Sequence, residues 1–371
     1  MTVPPPIPAT QQHYTCPSCG AQTAFAPGTT VLRCPTCGAE QQIAGTDRTV
    51  EEHSYDAWAQ VPEKPVATIG AQVLTCRGCG ATTETDVLAG TCQFCGGVLI
   101  ALTQPEGLIV PEAVVPFGID KRAANDAFVT WVRSRRFAPG ALKRVGSTES
   151  ITGTYVPHWT FDAHTETDYA GDRGEHYWVS ETYNVSDGKG GTRTETRQVQ
   201  RTRWWPASGH VARDFDDVVV LGSTKIAPAL VNDAGPWQLS GAVPFNPDYL
   251  AGYSALRYDI DPNVGLVSAK AEMEQVVRED CKRDIGGDEQ RVNRMDVQYL
   301  RVMFKLMLLP LWIASYVYAG QTYQVVVNAN TGEVIGQRPY SKLKIALAVL
   351  AGLIVAAGII TAIVLSKRHG N

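Results

Sequence analysis

The residues best placed to do chemistry are thiols. Eight of the nine cysteines fall into four C-x-x-C pairs, and the ninth, Cys281, stands alone. A C-x-x-C turn brings two thiolates close enough to share one ion, and a second such turn completes a tetrahedral S4 set that suits Zn²⁺. Cys16 and Cys19 are separated from Cys34 and Cys37 by 14 residues, and Cys76 and Cys79 from Cys92 and Cys95 by 12. Both spacings fit a zinc ribbon, in which two knuckles cap a small antiparallel sheet. Gly20, Gly38, Gly80 and Gly96 follow the second cysteine of each knuckle, where positive φ is often required. Redox C-x-x-C is the alternative, but four motifs in paired spacing argue against it. Each site is expected to be closed and structural, giving two Zn²⁺ per chain. His13 is a spare donor that four cysteines leave without a role.

A second set of reactive groups is looser. His158, His164 and His176 lie near Asp162 and Glu175, and on a strand His158, Asp162 and His164 would point the same way. Single histidines on strands are more often structural than catalytic. No P-loop, G-x-S-x-G or H-E-x-x-H motif occurs, and the one Gly-Lys dipeptide, Gly188-Lys189, lacks the flanking residues of a phosphate loop. A non-enzymatic protein is expected, with no catalytic residue and no nucleotide.

The elements that must hold these groups are set by pattern. The cysteine knuckles recur at an offset of about 60 residues, an internal repeat. Residues 1–12 read as a disordered tail, 13–45 as the first ribbon, 46–70 as a linker with a brief helix and 71–103 as the second ribbon. Residues 104–340 read as an α+β domain with an antiparallel sheet. In it, Asp120 caps a helix carrying Ala124, Ala127, Phe128, Trp131 and Val132 at helical spacing. A second helix puts Ala269, Met273, Val276, Val277 and Cys281 inward. The segment from His176 to Trp205 reads as a long hairpin turning at Asp187–Gly191, with Arg193, Glu195, Arg197, Arg201 and Arg203 on one face. Neither of its faces is apolar, so it is expected to protrude. Thr154–Gly171 and Met307–Gly320 share a P-x-W strand, which suggests two related strand units. The apolar run from Met303 to Tyr318 contains Lys305 and Pro310 and reads as core sheet.

Ile345–Leu365 is a run of 21 residues without a charge, flanked by Lys342, Lys344, Lys367 and Arg368. A helix of that length spans roughly 30 Å, the thickness of a bilayer core. A buried core helix is the other reading, but such helices seldom lack a polar face. One C-terminal transmembrane helix over 341–366 with a tail at 367–371 is expected, anchoring the chain in the cell membrane as a single-pass protein. The N-terminus has no basic and apolar leader pattern, so the bulk is expected in a reducing cytoplasm, where such cysteines bind metal.

Charge bears on partners. The chain carries a net −4, and residues 1–100 hold four basic side chains (Arg33, Arg48, Lys64, Arg77) against eight acidic ones. Two S4 zinc sites would make that end more negative still, the wrong sign for phosphate. Protein-binding ribbons are therefore preferred over nucleic-acid-binding ones. Tyr14, Phe25 and Phe94 are about what the ribbons need for their own small cores. Arg133, Arg135, Arg136, Lys143, Arg144 and the hairpin arginines form either a solvated face or a contact for anionic lipid or an acidic partner.

The segments "VPFGIDKRAANDAFVTWVRSRRFAPGALK", "ITGTYVPHWTFDA" and "LLPLWIASYVYAGQTYQVVVNANTGEVIGQRPYSKLK", with the double knuckles, resemble a bacterial family of double zinc-ribbon membrane proteins. Members of that family are often labelled primosomal protein N′ or superfamily II helicase-like, a label that the knuckles alone explain. The resemblance implies zinc on all eight knuckle cysteines. It also implies flotillin-like (SPFH) or phage-shock-type membrane proteins as partners in a membrane-stress assembly. The long Arg/Thr hairpin departs from the family pattern. "YQVVVNANTGEVIG" looks like the closing strands of a PepSY-type module. The expected protein is a membrane-anchored zinc-ribbon scaffold, with a replication or helicase-associated nucleic-acid-binding protein as the alternative.

Overall fold

The computed structural model describes residues 14–60, 72–75, 82–85, 87–91, 98–100, 109–134, 151–186, 192–228, 230, 235–318, 321–336 and 342–369. Its first three strands, β1 (Ala24–Phe25), β2 (Val31–Arg33) and β3 (Glu40–Gln42), form a small antiparallel sheet, with the second knuckle joining β2 to β3. β4 (His53–Ser54) leads into a short helix, α1 (Tyr55–Ala59), where the Ser54 hydroxyl accepts from the Ala57 N–H. β5 (Gln72–Thr75) pairs with β6 (Thr82–Thr85), and β7 (Val87–Thr91) with β8 (Val98–Ile100).

After β9 (Ala113–Val114) comes α2 (Lys121–Ser134). The Asp120 carboxylate accepts from the Ala123 N–H at 2.8 Å, and the helix buries Ala124, Phe128 and Val132, one stripe at helical spacing. β10 (Ile151–Ser186) and β11 (Thr192–Leu221) run antiparallel from His158↔Leu221 to Ser186↔Thr192. β12 (Val243–Pro244) and β13 (Ser254–Leu256) precede α3 (Pro262–Ile285). Asp261 caps α3, Pro262 occupies its first turn, and Gly286 at φ 64° ends it. Its buried stripe is Leu266, Ala269, Met273, Val277 and Cys281; Val276, one position around the helix, is exposed. β14 (Glu289–Tyr318), β15 (Gln321–Asn328) and β16 (Val334–Gly336) form a meander, and α4 (Lys342–His369) comes after it.

The P-x-W likeness is the visible part of a duplication. β9–α2–β10–β11 and β13–α3–β14–β15 trace the same path, and β10 and β14 lie antiparallel at the centre of the sheet. β13 pairs parallel with β10, and β9 parallel with β14. The Trp159 indole donates to the Ile260 carbonyl at 2.9 Å, and the Trp312 indole to the Ile119 carbonyl at 3.1 Å. Each acceptor immediately precedes the Asp that caps a helix. Gly222 N–H donates to Pro157 O, and Ala329 N–H to Pro310 O; Ile260 N–H then reaches Gly222 O, and Ile119 N–H reaches Ala329 O. Each half thus closes the helix entry of the other, satisfying backbone groups that would otherwise be buried unpaired.

The expected fold class needs three corrections. The domain is mostly β, and its 11-stranded sheet is mixed rather than antiparallel, because the exchange between halves adds β9 and β13 in parallel. The ribbons are not free-standing. β7 pairs with β13 through Ala255↔Ala89 and joins the large sheet, while Phe25, Leu32 and Ile43 enter a core with Tyr249, Leu250 and Ala251. Phe25 therefore serves the domain and not a private ribbon core. Finally, among the described residues no helix is long and apolar enough to cross a membrane, so the transmembrane helix over 341–366 and the single-span anchor are not retained. The Met303–Tyr318 run is sheet, with Leu306, Leu308, Leu309 and Leu311 buried on its two faces.

Candidate metal centre and acidic cluster

Each turn of the first cysteine group is built from the same hydrogen bonds. The Cys16 N–H donates to Ala21 O and the Gly20 N–H to Cys16 O; the Cys34 N–H donates to Ala39 O and the Gly38 N–H to Cys34 O. Gly20 and Gly38 hold φ of 75° and 76°, the left-handed region in which a side chain is strained. Cys16 Sγ lies 3.5 Å from Cys37 Sγ, Cys19 Sγ lies 3.5 Å from Cys34 Sγ, and all four sulfurs are within 4.8 Å of one another. Zn–S bonds of about 2.3 Å in a tetrahedron place sulfurs about 3.8 Å apart, so this set can hold one metal ion. Cys16 and Cys34 are buried, whereas Cys19 and Cys37 are exposed.

The thiols divide as a four-sulfur cluster should. The Cys37 N–H, bonded to Cys34, outweighs burial and holds that thiol down at about 6. The Ala21 N–H lowers Cys19, but the Cys37 and Cys34 sulfurs beside it push it up to about 12. Four sulfurs this close cannot all ionise without a cation, and a bound Zn²⁺ would remove the conflict.

The ribbon is fastened to the domain at several points. The Phe25 N–H donates to Ala251 O, and the Gly28 N–H to Phe117 O. The Tyr14 hydroxyl donates to Asp248, and the Phe25 ring meets Tyr249 edge-on at 5.1 Å. Cys76, Cys79, Cys92 and Cys95 lie outside the described residues, as does His13.

The three histidines are not brought together. His158 is buried, with Nδ1 bonded to Val156 O and its ring against Trp237; burial pulls its pKa down to about 4. His164 pairs with Asp214 at 2.6 Å, and His176 with Glu289 at 2.9 Å. Glu175 forms an ion pair with Arg173. Each therefore has a local structural partner.

Asp162 belongs to a different group, one that sequence reasoning missed. One of its carboxylate oxygens, with one from Glu52 and one from Asp216, lies within 4.8 Å of the others. Lys305 stands among them with a side chain 7% exposed, its Nζ 2.6 Å from Glu52 and 2.6 Å from Asp217. The signal that could have found the cluster was Lys305 itself, a charge inside an apolar strand that requires buried anionic company. Burial, reinforced by Glu52, pushes Asp162 up to about 7.

That shift has a sign. A carboxyl raised in the folded state contributes most below its unfolded pKa, about 3.9, and its contribution is lost as pH rises toward 7. Asp162→Asn keeps the shape of the protonated acid. In zinc-loaded protein free of other divalent cations it should melt a few degrees above wild type at pH 8, with the gap closing toward pH 4. Melting curves at both pH values check this; a gap independent of pH would refute the assignment.

No family model matches the chain, and no solved structure matches it. The chain is 27% identical over 251 residues to the uncharacterized protein YdjG of Bacillus subtilis (strain 168), an overlap covering 67% of this chain and 70% of that protein.

Proposed function

We propose that the chain is a non-enzymatic zinc-ribbon scaffold that presents a metal-stapled surface to a protein partner. The observation carrying this reading is the closed S4 group docked into the core of the domain, where a metal would have no open position for substrate. A second structural Zn²⁺ on Cys76, Cys79, Cys92 and Cys95 completes the proposal, on the strength of their spacing. The family resemblance supplies the partner class, flotillin-like or phage-shock-type membrane proteins at the cytoplasmic face of the cell membrane.

The replication reading is disfavoured by charge. Of the basic residues at the ribbon end, Arg33 is paired with Glu40 at 2.7 Å, and Arg48 with the buried Glu112. The hairpin arginines are also engaged: Arg197 and Arg201 pair with Glu181, and Arg193 with Glu195. Arg203 lies over the Tyr177 ring at 4.9 Å. Among the described basic residues of the ribbon end and the hairpin, these pairings reduce the charge free to release counterions from nucleic acid.

The test is direct. Elemental analysis of the purified chain should give about two Zn per protein, from two S4 sites. Fluorescence anisotropy with labelled oligonucleotides should show no binding tighter than about 100 μM at physiological salt, and no DNA-stimulated ATP hydrolysis should appear. Submicromolar, salt-sensitive DNA binding would replace the scaffold reading with the replication one.

A further inference from the structure

The acidic cluster sits where the backbone of two strands is irregular. β10 keeps its alternation through Trp159, Thr160, Phe161 and Asp162, but both neighbours gain a residue. On β11 the register steps from Phe161↔Val218 to Ala163↔Phe215, so Asp216 and Asp217 together oppose Asp162. On β14 it steps from Asp162↔Met303 to His164↔Leu300. Asp217 and Arg301, at φ 53° and 50°, are the two described non-glycine residues in the left-handed region. A bulge re-aims side chains, and here the β11 bulge turns carboxylates toward Asp162, whose Oδ1 accepts from the Asp217 N–H at 2.7 Å. Glu52 arrives from the segment before β4, held over β14 by Ser54↔Met303 and His53↔Phe304. Four carboxylates then face one ammonium, Lys305, which is already engaged by two of them.

A separate observation points to a ligand. Thr160 is 1% exposed, and its hydroxyl has no hydrogen-bond partner. It lies directly across from Lys305 in the β10·β14 register and one side-chain repeat before Asp162, on the same face. His158, one repeat further in and equally buried, leaves its Nε2 without a partner on that face as well. Buried polar atoms are rarely left unmatched, and a fully buried hydroxyl beside an acidic group calls for a water or an ion's water shell. The duplication adds a contrast. The residue three positions after the tryptophan is Asp162 in one half and Ser315 in the other, so the acidic site is confined to one half of a repeated frame.

We propose that Glu52, Asp162 and Asp216 bind a hydrated divalent cation of the Mg²⁺/Mn²⁺ class, with Thr160 meeting its water shell. All-oxygen donors select hard cations over zinc, and few carboxylates with retained water is the manner in which Mg²⁺ is held. The site is distinct from the cysteine group in donors and in position. Because Glu52 belongs to the segment leaving the first ribbon, the cation would tie that segment to β10 and β11.

The experiment is a Mn²⁺ titration of the zinc-loaded full chain, monitored by electron paramagnetic resonance. One Mn²⁺ per chain is expected at about 10⁻⁴ to 10⁻³ M, the weak end for carboxylate sites, and Mg²⁺ should displace it. Asp216→Asn is the informative variant, since Asp216 is exposed and its loss should leave the fold intact. It should weaken Mn²⁺ at least tenfold and abolish the rise in melting temperature that Mg²⁺ gives wild type. Asp126→Asn, an exposed change on α2, should alter neither. Absence of bound Mn²⁺ at millimolar concentration, or equal binding in Asp216→Asn, would overturn the proposal and leave the cluster to protons, Lys305 and water.

Discussion

Replacing Cys34 with Ser is expected to destabilise the whole domain and not merely its first ribbon. Structural zinc in small ribbons is the folding energy of the ribbon, so losing one of four ligands should release the ion and the turns it holds. The damage to the domain depends on how the ribbon is attached. Phe25, Leu32 and Ile43 lie in the same core as Phe117, Tyr155, Leu250 and Trp312. Burial of each large apolar side chain contributes roughly 1.5–3 kcal/mol, so exposing three gives up about 5 kcal/mol or more. At this domain size that corresponds to a fall in melting temperature of roughly 10 °C or more. Hydrogen exchange at the Phe25 amide, which is bonded to Ala251, should accelerate with zinc loss. Backbone amides near Phe117 should lose protection too. If only residues of the ribbon lost protection and the melting temperature held, the shared core would not be the unit of stability.

The second large effect is expected at Lys305. Its ammonium is nearly inaccessible, hydrogen-bonded to Glu52 and ion-paired with Asp217. Burial works against its charge, but the two carboxylates overcome that and raise its pKa. A raised lysine stabilises at every pH below its unfolded value, about 10.4, and its contribution fades only above that. Lys305→Met preserves length and apolar packing while stranding the carboxylates. Breaking a buried pair from one side costs about 3–5 kcal/mol, since the remaining charges stay desolvated. The deficit should be largest at pH 8 and shrink toward pH 5, as protons take over the role of the ammonium. Urea midpoints at the two pH values measure it. A loss of the same size at both would show that Lys305 acts through packing alone.

These two sites differ in how far the sequence discloses them. The cysteine group is local: four residues within 22 positions, on turns that Gly20 and Gly38 specify by conformation. The Asp120 cap, the buried stripe of α3 apart from Val276, and the alternation of the long hairpin were likewise legible, because helix and strand periods are set by neighbours in the chain. The P-x-W likeness showed that two strands were related. It could not show that Trp159 and Trp312 each close the helix of the opposite half, since those contacts span more than 100 positions.

Tertiary structure alone decided the rest. The exchange between halves made the sheet mixed, and the same sheet took in β7, so the ribbons became parts of one larger core. The three histidines that share a strand were separated by its length, each finding a carboxylate or carbonyl beside it. Glu52, Asp162, Asp216 and Lys305 are scattered over 253 positions and meet because two bulges bring their strands out of register at one level. Sequence determines which groups the chain owns and how each segment alternates. Which of them share a low-dielectric site is fixed by pairing across the sheet, where a one-residue step moves a side chain from one face to the other.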